Sequence, residues 1–162
     1  MLFDSSFSLV FLCIAGCMPG PEDHSINCTK YYYSFFEKPT TVQMAEFDSL
    51  PLDDQYAVYI CGNQAYEPPQ IGLRTPFAKE GARVVGLLKA KLANADGDLT
   101  IRDILGVFEE MSSRKTYDVA GDKDLMRVIS AAVGRVKDRD WKMVCDQSLA
   151  EIRHGIVPPT RR

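Results

Sequence analysis

The residues of this 162-residue chain best suited to chemistry are five cysteines (Cys13, Cys17, Cys28, Cys61 and Cys145) and two histidines (His24 and His154). A zinc site needs thiolates or imidazoles in closely spaced pairs, and no CxxC or comparable spacing is present. A nucleophilic site needs a base within hydrogen-bond reach of a hydroxyl or thiol. Neither histidine stands beside such a nucleophile in sequence, and there is no P-loop, GxGxxG, GxSxG or HExxH. The stretch Asn94–Leu99 (NADGDL) has the look of half a calcium loop. With Gly97 at the turn position, however, Leu92 falls where the first carboxylate ligand belongs and Asp103 where the bidentate Glu belongs. It reads instead as an acidic turn between helices. Asp118–Asp124 reads the same way, with Asp122 serving as a helix cap. Glu109 and Glu110 are neighbours on a helix and point apart, so they make no catalytic pair. The residue types therefore predict no catalytic residue, no metal and no cofactor.

The cysteines gain meaning from their surroundings. Phe7–Cys17 (FSLVFLCIAGC) is an apolar run of signal-peptide length, too short to cross a bilayer as a helix. Its end, Ile14-Ala15-Gly16-Cys17, resembles the lipobox of bacterial lipoproteins. That resemblance implies cleavage before Cys17, acylation of its thiol and loss of Cys13 with the signal. Cys28, Cys61 and Cys145 would remain, enough for one intramolecular disulfide in an oxidising compartment. A Cys61–Cys145 bridge, tying the first long helix to the last, is one pairing open to them.

These residues must be positioned by the rest of the chain, whose length suits one domain. Composition is ordinary for a globular protein, 46% apolar and 25% charged. A net charge of -3 lacks the basic excess of a nucleic-acid-binding domain. Arg135–Lys142 is interleaved with Asp138 and Asp140, which marks a solvated helix end. The organisation expected is a signal over 1–16, a tether and lead-in over 17–48, a helical domain over 49–157 and a disordered tail over 158–162. Met18–Asp23, rich in Pro and Gly, reads as flexible. Tyr31–Phe36 (YYYSFF) is strand-prone and is expected to pack on the core.

From Leu50 onward the apolar spacing predicts five helices. The first spans Pro51–Tyr66 and stops at Pro68-Pro69. The second, Pro76–Ala93, buries Phe77, Val84, Val85, Leu88 and Leu92. The third, Ile101–Ser113, starts with Thr100 and Asp103 in the spacing of a capping box. The fourth, Lys123–Val136, is capped by Asp122 and carries an unbroken i, i+3, i+4, i+7 stripe. The fifth, Arg139–His154, presents Trp141, Val144, Cys145, Leu149 and Ile152. Starts near 53, 76, 99 and 122 recur every 23 residues, and two such helices fall within the ~40–47 residues of a HEAT-type repeat.

The expected fold is thus all-α, with about five helices in antiparallel pairs, arranged as a HEAT-like stack or an orthogonal bundle behind an irregular aromatic lead-in. The expected function is a non-enzymatic lipoprotein of the bacterial envelope. It would be anchored through Cys17, face the periplasm from the outer membrane, and bind a protein partner and no nucleic acid. An immunity-type inhibitor of a toxin is one concrete form. Two alternatives stand beside it: a periplasmic hydrolase or ligand-binding protein with its site between helices, and a soluble cytoplasmic helical interaction domain.

Overall fold

The computed structural model describes residues 21–154, and every described element is helical. The signal-like run, Cys17 and the tail expected from 158 lie outside those residues. Eight α-helices are described where five were expected: α1 (Cys28–Tyr31), α2 (Thr40–Phe47), α3 (Leu52–Gln64), α4 (Arg74–Lys79), α5 (Ala82–Asn94), α6 (Asp98–Arg114), α7 (Lys123–Val133) and α8 (Arg139–His154). Two of the additional helices, α1 and α2, come from the lead-in. The third arises because the expected second helix is broken.

The break lies at Gly81. Its φ of +55 with ψ of -131 is a combination that L side chains rarely adopt, and a Cβ there would meet the Thr116 carbonyl oxygen at 2.8 Å. Apolar spacing runs on through this point, which is why the sequence pattern reads as one helix. A second glycine permits close approach: a Cβ on Gly62 of α3 would lie 3.2 Å from the Phe36 ring.

The aromatic run is helical rather than extended. Tyr32–Phe36 forms a π-helical turn that continues α1 and buries Phe35 and Phe36, while Tyr33 stays 68% exposed. Rings then step inward, Phe35 to Phe47 to Phe77 to Tyr59, with centroids 5.7–6.4 Å apart. The spacing suits edge-to-face and tilted aromatic contacts, and it makes the lead-in part of the one hydrophobic core.

At the centre of that core stands α6. Ile101, Ile104, Leu105, Val107, Phe108 and Met111, with Thr100, Asp103 and Gly106, are buried around its whole circumference. A helix buried on all sides must be enclosed by others, and α3, α4, α5, α7 and α8 all pack on it. Asp122 caps α7 as expected, accepting from the Asp124 and Leu125 amides at 3.1 and 3.0 Å. Along α8, Cys145, Leu149 and Ile152 face inward, but Val144 is exposed.

Candidate functional site

The lead-in does not behave as a loose tether once it reaches Glu22. Gly97, at the start of α6, supplies no side chain to cap the helix, and four N–H groups at any helix start need acceptors. Glu22 fills the role: its Oε2 accepts from the amides of Leu99 at 2.7 Å and Thr100 at 3.1 Å. The helix dipole favours a carboxylate there. A Cβ on Gly97 would fall 2.3 Å from that same oxygen, so only glycine lets Glu22 in. The expected capping box of Thr100 and Asp103 does not form, because both residues lie inside the helix and are buried.

The strap is then fastened at successive points. The Glu22 amide donates to Gln64 Oε1 at 2.9 Å. Asp23 accepts from the Tyr56 hydroxyl at 3.2 Å and pairs with Lys91 at 3.6 Å. Cys28 is joined to Cys61 of α3 by a disulfide. Tyr31 and Lys30 both donate to Asp54, at 2.6 and 3.1 Å.

Two adjoining cavities open beneath the strap, sharing Ser25 and Lys91. One of about 490 Å³ lies against the α5–α6 turn, among His24, Asn94, Asp96 and Gly97. The other, of about 270 Å³, lies toward α3, among Asp53, Asp54 and Tyr56. Burial pushes the Asp23 carboxyl up, but hydrogen bonds from Ser25, the Lys91 charge and the Tyr56 hydroxyl outweigh it and hold the group below the usual carboxylate range. Burial, reinforced by Asp23, raises the Tyr56 phenol, which stays a donor. At the other end of the groove, hydrogen bonds from Tyr31 and then Lys30 lower Asp54.

A second polar cluster lies inside the bundle. Asp103 is 1% exposed and accepts from Arg102 at 2.6 and 2.9 Å and from Gln64 at 2.8 Å, while its carbonyl accepts from the Tyr59 hydroxyl at 2.9 Å. Burial raises its pKa, with Arg102, Gln64 and Arg74 opposing. The Arg74 guanidinium lies flat on α6 over Gly106, where a Cβ would sit 2.8–2.9 Å from its atoms. Arg74 Nε and both amide atoms of Asn63 are buried without a hydrogen-bond partner. Farther along α6, Glu109 accepts from Ser148 of α8 at 2.9 Å.

Of the residues singled out in the sequence, Cys17 lies outside the described region. The Cys61–Cys145 pairing is replaced: Cys61 is bonded to Cys28, and Cys145 is free and buried. The reason is the docking of α1 on α3, which a flexible lead-in would not provide. Burial pushes the Cys145 thiol up to about 11, so it is unreactive near neutral pH. His154 is exposed at the end of α8, and His24 is exposed at the groove. Among the described residues no group of three metal ligands occurs, and no described helix is long and apolar enough to cross a membrane. The Ser25 hydroxyl is directed onto the Asp23 carboxylate at 2.5 Å, whose basicity is lowered. Charged and hydrogen-bonding side chains line the groove.

Glu22, Cys28, Arg74 and Gly106 were not identified as positioning residues in the sequence. Only the pairing of a glycine-started helix with an acceptor elsewhere could have suggested Glu22. The chain matches no family model, no curated protein and no solved structure.

Proposed function

We propose that this chain is a non-enzymatic lipoprotein of the bacterial envelope, anchored through Cys17, that acts by binding another protein in the periplasm. The observation that carries the reading is the Cys28–Cys61 cross-link. Disulfides persist in oxidising compartments and are rare in the cytosol, so the bridge supports export and agrees with the lipobox-like residues 14–17. The chemistry of the groove supports binding over catalysis, and an immunity-type inhibitor of a toxin is one form that binding takes. On architecture we favour a bundle over a HEAT-like stack, because α6 packs on five other helices, whereas a solenoid repeat touches only its neighbours.

Metabolic labelling with radioactive palmitate, followed by membrane fractionation, tests the reading. The wild-type chain takes up label and sediments with membranes, and Cys17→Ser does neither. Equal labelling of the two would sink the proposal. A second reading, a periplasmic binding protein for a small charged ligand, is favoured by the 490 Å³ cavity. It predicts that a polar-metabolite screen raises the melting temperature of wild-type protein but not of Lys91→Ala.

A further inference from the structure

We propose that the α5–α6 end of the domain, with the groove beneath the strap, is held against the lipid headgroups as the membrane-proximal face. The inference rests on the Cys17 anchor proposed above and adds an orientation to it. Glu22 is fixed to the domain by three hydrogen bonds: two from the first turn of α6 and one to Gln64 of α3. Asp23 is fixed by Tyr56 and Lys91, and Cys28 by a covalent bond. Only four residues, Met18–Pro21, separate Cys17 from Glu22, and Pro21 is itself buried. Five residue steps separate Cys17 from Glu22, which at full extension reach about 18 Å. A lipid on Cys17 thus confines the start of α6 to within about one small-domain radius of the membrane surface.

The opposite end of the same helix is not so confined. With 17 residues, α6 is about 25 Å long, and its last turn, with Ser113 and Arg114, stands a full helix length from the attachment point. Several fastenings within ten residues also keep the strap from peeling away under load, so the short tether acts on α6 directly. The groove therefore lies in the membrane-proximal half, and a soluble partner has free approach to the end of α6 around Ser113.

Depth measurement tests this on the full lipidated chain in vesicles that carry a nitroxide-headgroup quencher. Fluorophores are placed at Asp96→Cys, which lines the groove beside the attachment, and at Ser113→Cys. Both positions are exposed, and the buried thiol of Cys145 does not compete for label. Quenching is expected to be several-fold stronger at 96 than at 113. A flexible Gly/Ser insertion between Gly20 and Pro21 is expected to erase that difference. Equal quenching at the two positions in palmitate-labelled protein overturns the orientation and leaves the anchor standing. Protein that takes up no palmitate overturns the anchor, and the orientation falls with it.

Discussion

Removing the Cys28–Cys61 bridge is the perturbation with the most to say about this molecule. The two cysteines are 33 residues apart, and closing a loop of that size removes about 4 kcal/mol of chain entropy from the unfolded state. The loss is expected to be global rather than confined to the strap. Tyr31, Phe35, Phe36 and Phe47 belong to the core, and releasing them uncovers Phe77 and Tyr59. For a domain of this size the melting temperature of Cys28→Ala/Cys61→Ala should fall by roughly 10–20 °C. Circular dichroism melts of oxidised wild type, the double variant and Cys145→Ala provide the comparison. The Cys145→Ala protein keeps the bridge and loses only the packing of one sulfur, so its melt should lie close to wild type. The reasoning fails if Cys145→Ala costs as much as the double variant, or if a non-reducing peptide map recovers Cys145 in a bridge.

Further predictions concern the glycines, the cap and the buried acid. Gly81→Ala should destabilise by about 1–3 kcal/mol, since it forces a glycine-only conformation. Gly86→Ala, in open space on α5, should instead stabilise by about 0.5–1 kcal/mol; urea unfolding of both reads the opposite signs. Gly106→Ala should be destabilising because its methyl displaces the Arg74 guanidinium. A double-mutant cycle with Arg74→Ala should then show a coupling of about 0.5–3 kcal/mol, and additive effects would refute the contact. Glu22→Ala should cost about 0.5–2 kcal/mol as a lost helix cap, with hydrogen exchange speeding first at the Leu99 and Thr100 amides. Asp103 has a folded pKa raised by burial. As pH climbs through about 4 the unfolded carboxyl ionises before the native one, so this group's contribution to stability falls until the native carboxyl ionises too. Asp103→Asn should gain on wild type across that window and hold a constant difference above it. A difference that does not vary with pH would refute the shift.

How far the fold could be read depended on where each interaction partner sits in the sequence. The starts of α7 and α8 were legible because both are set locally, by an Asp cap and an amphipathic stripe. The core position of Phe35 and Phe36 was legible from aromaticity alone, but their helical conformation was not. Their neighbours Phe47 and Tyr66 approach from later elements. The break at Gly81 depends on Thr116, and the cap of α6 on a residue 77 positions earlier. Local pattern offers Thr100 and Asp103 for that cap, and tertiary packing takes both into the core. The same long-range docking redirected Cys61 to Cys28.

The candidate chemistry was harder to read for a related reason: several of the chain's carboxylates are engaged in holding the fold, which the sequence does not show. Glu22 binds the first amides of α6, Asp98 accepts from the amides of Lys137 and Asp138, and Asp122 caps α7. Asp23 and Asp54 answer buried or half-buried tyrosine hydroxyls. A carboxylate bound in this way has lowered basicity and a fixed direction, and Asp23, Asp54 and Asp122 are all held below their ordinary range. General-base work asks for the reverse, a group raised toward the working pH and aimed at a proton to be removed. The two acids that are raised, the buried Asp103 and the half-buried Glu109, lie away from the groove and face Arg102 and Ser148. Asp53, Asp96 and His24 line the groove without such engagements. That distribution is the physical ground on which a binding role is proposed.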